Sequence, residues 1–460
     1  MSYADPITDT LAALRAEGLY RRLVAVGPAG APGPRVTVDG REVLVFASNN
    51  YLALAGDPRV TDALRRGADR WGWGAGASRL LAGHTEAHAA LEADLAAFMG
   101  AEAALVFPSG YTANLGAVTA LAGRRDTLVM DRACHASLYD AAALARVRLV
   151  RYPQCDAAAA AEALDEHSRA AALPSRRAEA EMRGRSGDPP RGKCLLVADA
   201  VFSMDGRRAP LSALAGAAQQ AGAMLLLDEA HAIGVLGESG AGLAEEIWGK
   251  ARLERCHPER AERVEGSRRA DDEKKTPGTF FVRIGTLSKA LGGVGGFVAA
   301  SQEGIDLLVN RARPFIYTTA LPPAACEAAR EALRILRTEP ERRARLHALA
   351  RRLRTRLAEE GFDVGTGDAS DAAASEGRRA VTEKMPEERP PTPIVPIVIG
   401  DADRAMALAA ALLDRGLFCP AVRPPTVPPG TSRLRVSLTA GHTEEDVERL
   451  VAALVEARDI

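Results

Sequence analysis

One lysine stands among small residues and hydroxyl groups in the segment GTLSKALGGVGGFVAA, residues 285–300. Thr286 and Ser288 precede Lys289, and four glycines follow it by residue 296. Glycine carries no Cβ, so the backbone here can approach a ligand closely. A lysine in such a place can form a Schiff base with a carbonyl cofactor, whose phosphate the neighbouring hydroxyls would bind. Taken alone, the segment is more typical of a solvated surface lysine, and the rest of the chain decides between the two interpretations.

The elements that must position this lysine alternate regularly from Ala104 onward. Short apolar strands, ALVFP, TLVMD, CLLVA, AMLLL and FVRIG, are separated by helical segments. This alternation predicts crossover connections and a mostly parallel sheet covered by helices on both faces. Ligands of such sheets bind at the carboxyl ends of the strands. The polar residues that follow the predicted strands at this end are Ser109, Gly110, Tyr111, His135, Asp199, Ser203, Asp228, His231, Thr286 and Lys289.

Four of these side chains have the chemistry that pyridoxal 5'-phosphate needs. Asp228 would face the pyridine nitrogen and keep it protonated, so that the ring accepts the electrons of a carbanion. Lys289 would hold the aldehyde of the cofactor. His231 would hydrogen-bond the phenolic oxygen, and His135 would lie against the ring face. The four together predict an enzyme with Lys289, His135, Asp228 and His231 at its catalytic centre.

The phosphate of this cofactor would lie at a helix N-terminus. The backbone amides of Gly110 and Tyr111 open the helix, with Ser109 beside them, and the hydroxyl of Thr286 would add a further contact. Each residue alone has a simpler explanation, such as a helix cap for Ser109 or Asp228 and a hydrogen-bonded core residue for either histidine. Their joint appearance, in the right order at successive strand ends, favours the cofactor site.

Sequence motifs along nearly the whole chain carry a family resemblance. They are SNNYLAL, GAGASRLLAGHTEAHAALE, SGYTANLG, DRACHASLYD, VFSMDG, DEAHAIGVLG, GTLSKALGGVGGFVAAS, RARPFIYTTALPP and AVRPPTVPPGTSRLRVSLTAGHT. These motifs resemble those of the α-oxoamine synthases, a fold-type I, class II aminotransferase-like family that depends on pyridoxal phosphate. The resemblance implies an α/β fold with a mostly parallel sheet covered by helices and a smaller C-terminal α+β domain.

The resemblance also implies roles for residues outside the strand ends. Arg435 would bind the carboxylate of an amino acid in bidentate fashion. Further cofactor contacts would come from Ser203 and, across the interface of a homodimer, from Thr318 or Thr319. The candidate substrate contacts are Arg21 (or its neighbour Arg22), Asn49, Ser78 in a glycine-rich loop, Arg423, Thr426 and Arg435.

The reaction that the resemblance implies is a decarboxylating condensation of L-alanine with a pimeloyl thioester, as in biotin biosynthesis. The thioester would be carried by coenzyme A or by acyl carrier protein, and Lys289 would move the proton at Cα. The alternatives are a glycine-using 2-amino-3-ketobutyrate ligase, a serine-using long-chain base synthase, an aminotransferase and a non-catalytic subunit of the same fold. The stretches RPPTVPPGT and RLRVS favour the alanine-using enzyme, and the presence of both Lys289 and Asp228 argues against a non-catalytic subunit.

The composition argues against several other classes of protein. Lys+Arg 59 against Asp+Glu 60 gives the 460 residues a formal net charge of -1, so no overall field favours nucleic acid or an anionic membrane. No segment is apolar over the length of a bilayer, and no secretory signal is recognisable. The six cysteines are scattered without zinc-type spacing, so no metal site is predicted and a reducing cytoplasm fits best.

The chain is predicted to divide into three parts. Residues 1–55 hold an amphipathic helix over 8–23 and a hairpin that turns at Asp39 and Gly40. Residues 56–310 form the large cofactor-binding α/β domain, and residues 311–460 form connecting helices and the small α+β domain. Three segments with few bulky apolar residues, 168–193, 250–278 and 366–393, are predicted to be exposed, partly disordered insertions.

Overall fold

The computed structural model describes residues 5–29, 33–172, 192–255, 281–365, 390–458 and 460. Its strands are β1 (Val26–Pro28), β2 (Arg35–Val38), β3 (Arg41–Val45), β4 (Ala103–Phe107), β5 (Thr127–Asp131), β6 (Arg148–Tyr152), β7 (Cys194–Asp199), β8 (Met224–Asp228), β9 (Phe281–Thr286), β10 (Gly296–Ala300), β11 (Ile394–Gly400), β12 (Leu417–Phe418), β13 (Ala421–Val422) and β14 (Ser432–Ser437). Its α-helices are α1 (Asp5–Ala16), α2 (Pro58–Trp71), α3 (Glu86–Met99), α4 (Gly110–Leu121), α5 (Ala136–Ala145), α6 (Ala157–Ala172), α7 (Leu211–Ala221), α8 (Leu243–Trp248), α9 (Lys250–Arg255), α10 (Gln302–Arg311), α11 (Arg313–Ile316), α12 (Pro323–Thr338), α13 (Pro340–Glu359), α14 (Ala402–Asp414) and α15 (Glu444–Glu456).

Seven strands form the central sheet, in the order β4-β10-β9-β8-β7-β5-β6. The strands β9, β8, β7, β5 and β6 pair in parallel, and β10 runs antiparallel to both of its neighbours. Alternate residues of β7 enter different hydrophobic clusters, Leu195 and Val197 on one face and Leu196 and Ala198 on the other. Because side chains alternate across a strand, the sheet is covered on both faces. The prediction of a mostly parallel, doubly covered sheet is confirmed.

The sheet positions the predicted site through its register. Asp199 at the end of β7 pairs with Asp228 at the end of β8, and Asp228 pairs with Ile284 of β9. Thr286 therefore lies just past the same edge, and Lys289 follows it in the next turn. The carboxyl ends of three adjacent strands thus bring together residues that are up to 90 positions apart in the chain.

Two smaller sheets involve the ends of the chain. One has the order β1-β2-β3-β12, and the other is an antiparallel sheet in the order β11-β14-β13. The predicted hairpin is confirmed: β2 and β3 pair around Asp39 and Gly40, whose φ angles of 49° and 75° suit a two-residue turn. Strand β12 pairs in parallel with β3 and so joins the two ends of the chain. The division into a large and a small domain stays a prediction.

The predicted N-terminal helix is too long. The helix α1 ends at Ala16, whereas the sequence pattern extends it to residue 23. Gly18 adopts a left-handed φ of 65°, and the Leu19 amide donates to the Leu14 carbonyl at 2.8 Å, which is a common way to end a helix. The left-handed backbone at Gly18 therefore ends the helix, although apolar residues continue at helical spacing beyond it.

The three predicted insertions lie mostly outside the described residues. At their described ends, residues 168–172 belong to α6 and residues 250–255 form α9. The prediction of an exposed segment is wrong at the described end of 366–393: residues 391–393 are buried, and Thr392 donates its hydroxyl to the Gly206 carbonyl at 2.9 Å. Within the described ranges no helix is both long and apolar enough to cross a membrane.

Candidate active site

The partly buried Lys289 is the end of a chain of hydrogen bonds that continues through His231 to Tyr51. Its Nζ atom is 2.9 Å from Nε2 of His231, and Nδ1 of His231 is 2.7 Å from the hydroxyl of Tyr51. Burial lowers the pKa of Lys289 to about 8, although the carboxylates of Asp228 and Asp199 oppose this shift. Burial, and then the positive charge of Lys289, hold the pKa of His231 well below its ordinary value. The amine of Lys289 thus faces a neutral imidazole and is itself partly neutral near pH 7.

Tyr51 connects this chain to the predicted carboxylate-binding arginine. Its hydroxyl lies 3.2 Å from Oδ1 of Asn49, and Nη2 of Arg435 donates to the same oxygen at 3.2 Å. Arg435 also donates to the hydroxyl of Ser437 at 2.7 Å and to the backbone carbonyl of Ser203. Burial raises the pKa of Tyr51 to about 12, so its hydroxyl stays protonated. The structure therefore joins Asn49, Ser203 and Arg435 to the lysine, with Ser203 contributing its carbonyl to the contact.

The carboxylate of Asp228 is held by one donor on each oxygen. Oδ1 accepts from the backbone amide of Ala230 at 2.9 Å, and Oδ2 accepts from Nδ2 of Asn114 at 2.7 Å. Asn114 is buried on α4, which packs against β9 and β10. These two donors fix the carboxylate in place, where it can act as the charge partner of a protonated ring nitrogen.

His135 is the N-cap of α5, and both its ring and its backbone amide are hydrogen-bonded. Its Nδ1 atom is 2.7 Å from Oγ of Ser137, and its backbone amide donates to Oδ1 of Asp199 at 3.3 Å. Burial lowers the pKa of His135. Burial also raises the pKa of Asp199 well above its ordinary value, and the neighbouring Asp228 carboxylate adds to the shift. The N-cap role of His135 was not predicted from the sequence, and the same ring nitrogen that caps the helix also contacts the Ser137 hydroxyl.

The N-terminus of α4 meets the end of β9. Ser109 caps the helix, because its Oγ accepts from the Thr112 amide at 3.1 Å. A Cβ on Gly110 would lie 3.4 Å from Oγ1 of Thr286, and a Cβ on Gly296 would lie 2.5 Å from the Gly110 nitrogen. Glycine at both positions therefore leaves room between the helix N-terminus and the hydroxyl. The side chain of Tyr111 is directed to Asp140, at 2.5 Å, so its predicted contact rests on its backbone amide.

The remaining substrate candidates form a second group near the N-terminal segment. Nη2 of Arg21 donates to Oγ1 of Thr426 at 3.3 Å, whereas the guanidinium of Arg22 lies 5.9 Å from the ring centre of Tyr20. The contact with Thr426 therefore favours Arg21 over Arg22 as the predicted substrate contact. Arg423 donates to backbone carbonyls of the segment after α1, including that of Tyr20 at 3.1 Å. It holds that segment in place, and its predicted substrate contact stays a prediction.

Ser78 and Thr319 are brought together by an isolated antiparallel bridge. Ser78 precedes the π-helix Arg79–Gly83, and the amide of Ala320 donates to the carbonyl of Ala77 at 3.0 Å. Thr319 is exposed and its neighbour Thr318 is partly exposed. Both threonines can therefore meet another molecule, as their predicted role across a dimer interface requires.

Four residues that contact the predicted catalytic side chains were not assigned a role from the sequence. They are Tyr51, Asn114, Ser137 and Asp199. Asp199 follows a predicted strand at the same edge as Asp228, so its position alone was a usable signal. The other three contact partners that lie far away in the sequence or on another helix, and nothing in their local sequence indicates which partner they meet.

The residues at this edge of the sheet fit pyridoxal phosphate. A partly buried amine with a lowered pKa suits the aldehyde, and a carboxylate with one donor on each oxygen suits the pyridine nitrogen. The backbone amides of Gly110 and Tyr111 at the start of α4 and the hydroxyl of Thr286 suit a phosphate. Among the described residues, no group of acidic, histidine or cysteine side chains could hold a metal ion.

Comparison with known proteins decides the family. The model of the family aminotransferase class I and II matches residues 41–454. The 8-amino-7-oxononanoate synthase of Anaeromyxobacter dehalogenans strain 2CP-1 is 44% identical over 450 residues, which are 98% of this chain and 94% of that protein. The chain belongs to the 8-amino-7-oxononanoate synthase family. Membership confirms both the resemblance to α-oxoamine synthases and the predicted fold class.

Solved structures agree with membership of the 8-amino-7-oxononanoate synthase family at the level of fold. The serine palmitoyltransferase of Sphingomonas wittichii has a TM-score of 0.79 and 29% identity, with 100% of this chain and 98% of that chain covered. A serine palmitoyltransferase solved with PLP has a TM-score of 0.78 and 28% identity, with 99% of this chain and 97% of that chain covered. The architecture is thus shared over the full length.

Proposed function

We propose that the chain is a pyridoxal-phosphate-dependent acyltransferase that condenses L-alanine with a pimeloyl thioester. Carbon dioxide is lost, and the product is 8-amino-7-oxononanoate for biotin biosynthesis. The observation that carries this proposal is the 44% identity to an 8-amino-7-oxononanoate synthase over 98% of the chain. The thioester carrier is either coenzyme A or acyl carrier protein, and a direct comparison of the two distinguishes them.

Lys289 has two tasks in this proposal. When bound, pyridoxal phosphate supplies an electron sink for the carbanion formed at Cα of the amino acid. Lys289 holds the aldehyde end of that cofactor, and its amine takes and returns the Cα proton. A base and nucleophile must have a lone pair, and burial supports this by lowering the pKa of Lys289 to about 8. His231, 2.9 Å away, keeps the amine in place.

The other cofactor residues hold the ring and the phosphate. Asp228 would keep the pyridine nitrogen protonated, since the Ala230 amide and the Asn114 side chain hold its two oxygens in place. His135 would lie against the ring, and His231 would bond the phenolic oxygen. The phosphate is held by the start of α4 and by Thr286, where the partial positive charge of a helix N-terminus favours an anion.

Arg435 anchors the carboxylate of alanine. Its present partners are neutral oxygens of Asn49, Ser437 and Ser203, and no carboxylate pairs with it within the described residues. It therefore keeps an uncompensated positive charge in a partly buried place, which a planar guanidinium can offer to a carboxylate in bidentate fashion. Asn49 positions the guanidinium and thus the substrate.

A homodimer is part of the proposal. Large apolar side chains are exposed on both sides of the bridge between Ser78 and Thr319: Trp73 is 88% exposed, Leu81 82% and Tyr317 71%. Exposed apolar side chains that cluster around one point of the surface would suit an interface between subunits. Light scattering should give twice the 48.5 kDa of one chain, and a monomer at micromolar concentration would contradict the dimer.

The test of the proposed function is a substrate comparison with purified, cofactor-loaded protein. Pimeloyl thioesters of coenzyme A and of acyl carrier protein are each offered with alanine, serine or glycine, and product is identified by mass spectrometry. Product from alanine and the pimeloyl group supports the proposal. The structural likeness to a serine palmitoyltransferase makes a serine-using enzyme the second candidate; preference for serine with a long-chain acyl thioester would replace the first.

A further inference from the structure

A chain of hydrogen bonds links Asp228 to His135 through Asn114 and Ser137. Asn114 lies on α4 and Ser137 on α5, and both side chains are buried. Nδ2 of Asn114 is 2.7 Å from Oδ2 of Asp228 and 2.8 Å from Oγ of Ser137. Oγ of Ser137 is in turn 2.7 Å from Nδ1 of His135. The side chains proposed to contact the ring nitrogen and the ring face of the cofactor are thus joined through the protein.

The direction of each hydrogen bond follows from the groups involved. A carboxylate only accepts, so the amide atom that faces Asp228 is the nitrogen, and its second hydrogen is directed to Ser137. The hydroxyl of Ser137, having accepted from Asn114, donates its own hydrogen to Nδ1 of His135. The backbone amide of Ser137 also donates to Nδ1, at 3.3 Å. Nδ1 is therefore an acceptor, and the ring proton of His135 must be on Nε2.

The unpaired oxygen of Asn114 shows why its side-chain amide keeps this orientation. Oδ1 of Asn114 is buried and has no hydrogen-bond partner among the described residues. An unpaired buried acceptor is costly, and proteins rarely leave one. Turning the amide round would place this oxygen against the carboxylate of Asp228 and would lose both donor contacts. The side chain is therefore retained in the orientation that serves Asp228 and Ser137.

We propose that Asn114 and Ser137 are positioning residues for the cofactor. They fix His135 as the neutral tautomer with its proton on Nε2, and they hold Oδ2 of Asp228, so that the two contacts with the cofactor ring are set together. The inference rests on the proposed function, which assigns His135 and Asp228 to the cofactor. A neutral His135 leaves the carboxylate of Asp228 free to pair with the ring nitrogen.

The first test reads the tautomer directly. Protein labelled with ¹⁵N in its histidine rings is loaded with pyridoxal phosphate, and the His135 signals are assigned by their loss in His135→Gln. The expected spectrum at neutral pH has a proton on Nε2 and none on Nδ1. A proton on Nδ1 would overturn the inference alone, whereas protein that binds no pyridoxal phosphate would overturn the proposed function.

The second test is a double-mutant cycle on cofactor affinity. Asn114→Leu and Ser137→Ala are each expected to raise the Kd for pyridoxal phosphate about tenfold or more, because each leaves a buried polar group unpaired. The double variant should be close to the weaker-binding single variant, since both residues act through one chain. The proposal would be contradicted if the increase in Kd in the double variant equalled the product of the two single increases. An unchanged Kd in either single variant would also contradict it.

Two controls separate positioning from general destabilisation. Asn310→Leu removes an exposed amide on α10 whose Nδ2 donates to the Asp306 carbonyl, and its Kd should equal that of the parent protein. The free energy of unfolding is measured for every variant. If the weaker binding of Ser137→Ala is fully accounted for by partial unfolding at the assay temperature, the role of Ser137 is structural and the proposal is wrong.

Discussion

The lowered pKa of Lys289 predicts unusual reactivity in the cofactor-free protein. Burial lowers this pKa to about 8, and the carboxylate of Asp228 is the largest opposing influence. At pH 7 a group of pKa 8 is about 9% neutral, whereas an ordinary lysine near pKa 10.5 is about 0.03% neutral, a roughly 300-fold difference. Since only the neutral amine reacts, Lys289 should be modified in preference to other lysines at pH 7.

The perturbation is Asp228→Asn, which keeps the shape of the side chain and removes its charge. Removing a negative charge that favours the ammonium form lowers the pKa of Lys289 further. The pH at which modification is half-maximal should therefore move below about 8. The matched control is Asp306→Asn on the exposed face of α10, which should leave the midpoint unchanged.

The assay is pulsed acetylation across a pH series, followed by peptide mass spectrometry. The peptide containing the exposed Lys193 serves as the internal reference for reagent concentration. A midpoint for Lys289 at the ordinary value of lysine would refute the argument from burial. A midpoint that rises in Asp228→Asn would refute the assignment of Asp228 as the charge that supports the ammonium form.

Three further predictions concern the substrate anchor, the phosphate cradle and the buried tyrosine. Arg435→Lys should lower kcat/KM for alanine about 10- to 100-fold, because a bidentate contact with a charged group is lost, while Arg433→Lys on the same strand should have little effect; equal losses would contradict a specific anchor. Gly296→Ala should weaken pyridoxal phosphate binding in an equilibrium titration, since its Cβ would lie 2.5 Å from the backbone nitrogen that opens α4. Gly293→Ala, whose Cβ would lie 3.4 Å from its nearest neighbour, is the control, and the same loss in both would refute the close packing. Tyr51→Phe should lower the free energy of unfolding by about 1–3 kcal/mol in chemical denaturation, because it leaves buried partners unpaired; an unchanged value would mean that its hydroxyl contacts contribute nothing.

The residues at the strand ends could be predicted because their placement depends on local sequence and one general rule. An apolar run followed by a polar residue indicates the end of a strand, and parallel strands end at one edge. Asp228 and Lys289 are 61 positions apart, yet both follow adjacent strands, so the alternation alone places them near each other. The same rule places Asp199, which was noted at a strand end without a role.

The supporting contacts could not be predicted, because they depend on how distant elements pack. Tyr51 meets His231 across 180 positions, and Asn114 meets Asp228 across 114. The spacing of apolar residues around Tyr51 and Asn114 does not indicate which distant residue each side chain contacts. The extent of α1 was mispredicted for a related reason: the apolar period continued past Gly18, but the left-handed backbone of that glycine ended the helix.

The most direct test of the central claim follows the carboxyl carbon of alanine. Cofactor-loaded protein is given L-alanine labelled with ¹³C at C1 together with a pimeloyl thioester, and both carbon dioxide and the amino ketone are analysed by mass spectrometry. Decarboxylating condensation predicts that the label appears in carbon dioxide in equal amount to the thiol released, and that the product carries none. Label retained in an oxo acid, with no thiol released, would identify an aminotransferase and contradict the proposed function.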